Sequence, residues 1–248
     1  MERSAATFQE NFVLGWRVAV VEETGSTNSD LLQWASEGLP GRSVLVARHQ
    51  TAGRGRLDRR WEAPAGANLL VSLLFRASTG DTDRETPQQL VHRVALAVLA
   101  ACAEVTGVRA DLKWPNDVLL GDAKLAGILA EGRHVRGPSG EEHAVVVGVG
   151  LNVGWAPEGA ARLGEGIDPL VVLAAVLRSI DAQPADVWPV YREHLATLGR
   201  RVRIDLEEGS FEGVAVDVER DGRLRVRTDD AEDRWVTAGD VVHLRPAE

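Results

Sequence analysis

Short apolar runs separated by polar turns dominate the chain, and four longer stretches carry helical signals. Residues 17–22 (RVAVVE) and 43–47 read as strands. Between them, Gly25-Ser26-Thr27-Asn28-Ser29-Asp30 reads as a turn and helix cap whose polar side chains bond exposed N–H groups; the helix runs to about Glu37 and ends at Gly38. Residues 68–75 (NLLVSLLF) are almost unbroken in apolarity, as in a strand covered on both faces. A polar linker at 79–86 precedes Pro87, which opens the longest helix; that helix stops before Gly107.

Residues 110–113, 118–120 and 124–131 read as strands joined by the Trp114-Pro115-Asn116-Asp117 and Gly121-Asp122 turns. Residues 132–142 read as a polar loop. The run 143–153 (HAVVVGVGLNV) reads as a strand whose glycines imply that something approaches its backbone closely. Helices are expected at about 169–180 and 184–198. After Gly199 the texture changes: strand-like runs at 201–205, 211–218, 223–228, 234–237 and 241–244 predict a small all-β barrel.

Composition narrows the function. With 248 residues, 44% of them apolar, the chain can bury a sizeable core. A net charge of −9 argues against a general nucleic-acid binder. A lone cysteine, Cys102, excludes an internal disulfide framework and cysteine-cluster metal sites, and its apolar surroundings predict a buried helical position. The first sixteen or so residues form a short lead-in with no signal-peptide pattern, and no apolar run reaches the ~18–20 residues of a membrane span. A soluble, cytoplasmic protein is expected.

Of 28 cationic residues only two are lysines, Lys113 and Lys124. Where arginine serves as the default cation, a retained lysine marks a place that needs a compact ammonium. The densest cationic stretch is Gly53-Arg54-Gly55-Arg56-Leu57-Asp58-Arg59-Arg60-Trp61. Its glycines admit close backbone approach, its arginines offer forked donors to carboxylate or phosphate, and its indole can stack on a base. Taken alone it fits a nucleotide site, a minor-groove hook or a solvated loop. Lys113 and Asp117, four apart across a turn, can place an ammonium on phosphate and a carboxylate on Mg²⁺, or can simply flank a Pro-Asn turn. Lys124–Leu129 (KLAGIL) and Gly148–Asn152 (GVGLN) are each weak signals alone. The six histidines are scattered, and no Ser-His-Asp or Cys-His nucleophilic arrangement is visible.

In this order and spacing the motifs resemble the biotin protein ligases. The resemblance rests on Ser26-Thr27-Asn28, QTAGRGR at 50–56, Trp61, KWPNDV at 113–118, KLAGIL at 124–129 and GVGLNV at 148–153, and it spans residues 17–248. It implies an α+β fold: a mixed β-sheet flanked by helices, related to class II aminoacyl-tRNA synthetases, over 1–198, and an SH3-like β-barrel over 199–248. It implies that ATP activates biotin to an adenylate, and that biotin then passes to a lysine of a biotin carboxyl carrier domain.

By the same resemblance Ser26, Thr27, Asn28, Gln50, Gly53 and Gly127 belong to the biotin pocket. Arg54, Gly55 and Arg56 close over the biotin carboxylate and adenylate phosphate. Lys124 holds both of those anions. Trp61 packs on adenine, and Arg59, Lys113, Asn116, Asp117 and Asn152 line the nucleotide side, Asp117 also standing as the Mg²⁺ ligand. Lys124, Arg56, Arg54 and Lys113 would carry the chemistry. No tightly bound prosthetic group is expected. The loop is expected to act as a lid, mobile until ligand orders it. Leu57-Asp58 replaces the Arg-Gly of familiar members, which affects how the loop closes. The lead-in is too short for a three-helix DNA-binding domain with helices of ~11 residues, so no DNA partner is expected. A monomer or homodimer, with no membrane partner, completes the reading. The rivals are a lipoate–protein ligase and, from another class, a non-catalytic nucleic-acid-binding module.

Overall fold

The computed structural model describes residues 12–57, 59–78, 85–137, 140–206, 209–237 and 240–243. The lead-in up to residue 11, Asp58, most of the 79–86 linker and Leu244 lie outside them. Eight strands form the main sheet: β1 (Phe12–Val13), β2 (Trp16–Thr24), β3 (Ser43–Gln50), β4 (Leu69–Ser78), β5 (Asp111–Lys113), β6 (Asp117–Leu120), β7 (Ala123–Gly137) and β8 (Gly140–Leu151). Their order is β1-β2-β3-β4-β8-β7-β6-β5. β2 and β3 run parallel around helix α1 (Thr27–Ser36), and their neighbours pair antiparallel.

Alternate residues of β3 serve opposite faces, as a pleated strand requires. Leu45 faces one cluster with Leu31, Trp34, Leu74 and Val146 beneath α1. Val44 and Val46 face another, with Val94, Val98, Val147 and Val176 beneath helices α2 (Pro87–Thr106) and α3 (Pro169–Ala182). The mixed sheet is therefore covered on both sides.

α2 has the length and hydropathy of a membrane span, 20 residues with a mean hydropathy of 1.4. Yet Leu90, Val94, Val98 and Cys102 are buried against the sheet, so it is a core helix. Its start is a full capping box, with Thr86 and Gln89 satisfying each other's backbone N–H groups. Burial pushes the Cys102 thiol up to about 12, leaving it unreactive.

Three expectations are corrected. Residues 132–142 are no loop: β7 and β8 continue as a hairpin to Gly137 and from Gly140, with His134 opposite His143. The helix expected at 184–198 shrinks to α4 (Trp188–Glu193), because the next residues are drawn to the sheet edge, where Leu112 N–H donates to His194 O and Ala196 N–H to Leu112 O. Ser26 stands at the N-cap of α1 without a side-chain capping bond.

Five further strands, β9 (Arg201–Leu206), β10 (Gly209–Val218), β11 (Leu224–Arg227), β12 (Asp233–Val236) and β13 (Asp240–His243), make a second antiparallel sheet. Its buried Val202, Ile204, Leu224 and Val226 are continuous with the main core. The two sheets are joined by the Trp114 indole N–H, which donates to Gly222 O at 2.7 Å. Gly222 has φ +90°, and a Cβ there would stand 2.7 Å from Gln88.

His92 lies on α2 against Tyr191, with ring centroids 3.8 Å apart. Burial pushes its imidazole from 6.5 down to about 4. The unfolded chain therefore takes up this proton near pH 6.5 and the folded one only near 4. Stability is expected to fall as pH drops through that window, by about 3 kcal/mol for this group at full extent. Urea midpoints between pH 7 and 4.5 should drop less in His92→Phe than in the parent.

Candidate active site

A cavity of about 480 Å³ opens over β4, β7 and β8, walled by the start of α1, the 53–61 loop and the β5–β6 turn. Part of its floor is glycine backbone. Gly127 and Gly150 sit directly opposite each other on β7 and β8. The Trp61 indole lies on this patch: a Cβ on Gly150 would come within 2.4 Å of the ring, and one on Gly127 within 3.2 Å. A Cβ on Gly148 would come within 2.3 Å of the Asn28 amide. The close approach implied by the strand glycines is thus to Asn28 and Trp61.

At the polar end, Gln50 Oε1 accepts from Thr27 N–H at 2.8 Å and lies 3.0 Å from the Thr27 hydroxyl. It supplies from β3 the capping bond that Ser26 does not. The Ser72 hydroxyl contacts the Thr27 hydroxyl at 2.7 Å and Asn28 Oδ1 at 2.6 Å. Asn28 Nδ2 donates to Glu131 Oε2 at 2.9 Å and Leu129 O at 3.2 Å. Replacing Gln50 with Leu orphans the Thr27 N–H, so a loss of about 1 kcal/mol in stability is expected, read from the urea midpoint.

At the cationic end, Lys124 Nζ stands 2.6 Å from Asp117 Oδ1. Lys113 is cross-strand from Asp117 in the β5–β6 hairpin. Burial holds the Lys113 ammonium below the usual lysine range, against the pull of Asp117, and Lys124 and Arg59 push it the same way. Burial likewise lowers the Arg56 guanidinium, opposed by Asp117. Three cations thus share one carboxylate, leaving an excess of positive potential in a low-dielectric recess, a setting for multiply charged anions.

The two described limbs of the loop, 53–57 and 59–61, close on each other. Gly55 N–H donates to Arg59 O at 2.7 Å, Trp61 N–H donates to Gly53 O, and the backbones of Arg54 and Arg60 pair as a single antiparallel bridge. The limbs meet so closely at Gly53 that a Cβ would come within 2.3 Å of Trp61 O. Arg54 Nη1 pairs with Glu131 Oε1 at 2.8 Å.

Residues 20–152, more than half the chain, match the model of the Biotin/lipoate A/B protein ligase family, and residues 197–244 match the Biotin protein ligase C terminal domain. The chain belongs to this family. It is 40% identical to the "Biotin--[acetyl-CoA-carboxylase] ligase" of Mycobacterium tuberculosis, over 93% of this chain and 91% of that one. It is 30% identical to the "Bifunctional ligase/repressor BirA" of Escherichia coli, over 94% of this chain and 76% of the relative. Among solved structures, the biotin protein ligase of Aquifex aeolicus in complex with biotin and ATP superposes with a TM-score of 0.72 at 28% identity, covering 92% of this chain and 98% of that one.

In this member of the biotin/lipoate ligase family, Ser26, Thr27, Asn28, Gln50, Arg54, Gly55, Arg56, Arg59, Trp61, Lys113, Asn116, Asp117, Lys124, Gly127 and Asn152 all line one cavity. Gly53 sits at the closed base of the loop. Two of these side chains are spent on scaffolding: Asn116 donates to Ile128 O, and Asn152 donates to Ala161 O and accepts from Asn68. Sequence reasoning missed Ser72, Glu131, and Val241 and Val242, which reach the cavity from the second sheet. Ser72 had a readable signal, as the one hydroxyl inside NLLVSLLF. Val241 and Val242 had none.

Proposed function

We propose that the chain is an ATP-dependent, AMP-forming biotin–protein ligase, making biotinyl-5′-AMP and then transferring biotin to a lysine of a biotin carboxyl carrier domain. The observation that carries this is the pairing, in one cavity, of a neutral polar end (Ser26, Thr27, Gln50) with the cationic cluster of Lys113, Lys124 and Arg56. A ureido ring can be hydrogen-bonded at the first, and a carboxylate joined to a nucleotide phosphate at the second. The neutral polar end also favours biotin over the apolar dithiolane of lipoate.

In the first step a biotin carboxylate oxygen attacks the α-phosphorus of ATP, and the bond to pyrophosphate breaks. Two anions must approach each other. In this reading Lys124 and Arg56 neutralise that charge, Lys113 lies toward the leaving phosphates, and Trp61 offers its ring to adenine. In the second step a neutral lysine amine attacks the anhydride carbonyl, the bond to the phosphate oxygen breaks, AMP departs and the amine releases a proton. No nucleophile of the enzyme is needed. Arg54–Arg60 would shield the anhydride from water.

Among the described residues no three His, Cys, Asp or Glu side chains converge on a metal site. A single carboxylate sharing an ion with phosphates suits Mg²⁺, and Asp117 would hold it. When bound, the ion supplies neutralisation of the departing pyrophosphate. The need for ATP fits work in the cytoplasm, and DNA is not among the partners proposed. The test is incubation with biotin, ATP, Mg²⁺ and a carrier domain. A carrier heavier by one biotinyl group is expected. An unmodified carrier, or equal labelling with lipoate, overturns the reading.

A further inference from the structure

Hydrogen bonds run without a break from one end of the cavity wall to the loop. They pass from Gln50 to Thr27, Ser72 and Asn28, and then to Glu131 and Arg54. The members come from β3, α1, β4, β7 and the loop, and sequence separations along the path reach 103 residues. Glu131 is the charged link. One oxygen accepts from Asn28 Nδ2 at 2.9 Å and the other pairs with Arg54 Nη1 at 2.8 Å. Its side chain is 20% exposed, that of Arg54 50%.

The chain has a direction. An ionised carboxylate only accepts, so Asn28 must turn Nδ2 toward Glu131 and Oδ1 toward Ser72. With Oδ1 as its acceptor, the Ser72 hydroxyl proton is committed, and the Thr27 hydroxyl stands between two acceptors, Ser72 Oγ at 2.7 Å and Gln50 Oε1 at 3.0 Å. One charge on β7 therefore fixes the orientation of the Asn28 amide on α1 and of the Ser72 hydroxyl on β4. The same charge holds an arginine of the loop, and charge-assisted bonds are the strong members of such networks.

We propose that Glu131 is a positioning residue that makes the polar end of the pocket and Arg54 of the loop one coupled unit. This rests on the biotin-ligase reading of the site and adds a residue that the motifs do not contain. Biotin held at the polar end fixes the Asn28–Glu131 arm, and Glu131 fixes where Arg54 stands. Conversely, a displaced Arg54 frees Glu131 and loosens Asn28.

The test is a double-substitution cycle on the full chain, reading biotin affinity by calorimetry without ATP and adenylate formation by biotin-dependent pyrophosphate exchange. Glu131→Ala is expected to weaken biotin about tenfold, as loss of a half-buried charged acceptor does. Arg54→Ala alone should weaken it severalfold, and the double variant no more than Glu131→Ala. Glu131→Gln keeps an acceptor for Asn28 and loses the charge, so it should restore most biotin affinity while exchange stays slow. Glu142→Ala is the control. Glu142, on β8 of the same hairpin, accepts from Arg76 of β4 at 2.6 Å, and its loss should lower the melting temperature and leave biotin affinity unchanged. Additive effects of Glu131→Ala and Arg54→Ala overturn the coupling, as does a Glu131→Ala variant that differs from the parent only in melting temperature. Absence of biotin binding in the parent chain would instead overturn the ligase reading itself.

Discussion

Replacing Lys124 with alanine is expected to slow biotin adenylation by about 10²–10³-fold, the cost of removing one preorganised donor from a charge-stabilising site. The ammonium stands 2.6 Å from Asp117, 5.7 Å from the centre of the Trp61 ring, and about one contact distance from where a Gly127 side chain would be. It therefore stands between the Trp61 ring and the β5–β6 turn, where the proposed reading puts the new bond between carboxylate and phosphorus. Its loss also leaves Asp117 facing incoming phosphates with one cation fewer to mask it. Lys124→Arg is expected to recover little, because a planar forked guanidinium does not reproduce a compact ammonium set 2.6 Å from Asp117. Biotin-dependent pyrophosphate exchange measures both variants. Near-parental turnover in Lys124→Ala would remove the residue from the mechanism.

Gly150→Ala is the second large effect expected. The added methyl would stand 2.4 Å from the indole of Trp61, far inside contact distance. β8 is paired on both sides, by β4 and by β7, and cannot retreat. The ring on the loop must move instead. Overpacking of this kind costs about 1–3 kcal/mol, which as lost ATP affinity is about 5–150-fold. The substitution should thus raise the KM for ATP by that factor and change biotin affinity little, since the polar end lies at Gly148 and beyond. A rise in the biotin KM of the same size would show that Trp61 serves both substrates.

The covered strands and the capped α2 were legible because their signals are local: apolar runs, a Pro at the first turn, a Gly at the end. The β7–β8 extension was not. Arg133, His134, Arg136, Glu141 and Glu142 show no apolar alternation, since this part of the hairpin is held by backbone pairing and exposed on its surface. The end of α4 was also hidden, because Leu112, some eighty residues earlier, competes for its backbone groups. In the site, the motif residues stood out through glycine, arginine and lysine usage. What the glycines make room for, and which carboxylate holds Arg54, depend on contacts between distant segments that no local pattern encodes.

Both side-chain amines of this chain line the same cavity, and burial makes one of them, Lys113, easier to deprotonate. Acylating reagents that seek free amines therefore find, apart from the α-amino group, targets nowhere else. A covalent probe of modest selectivity would act on this enzyme as a site-directed titrant, and nucleotide protection against it would count occupied sites by intact mass.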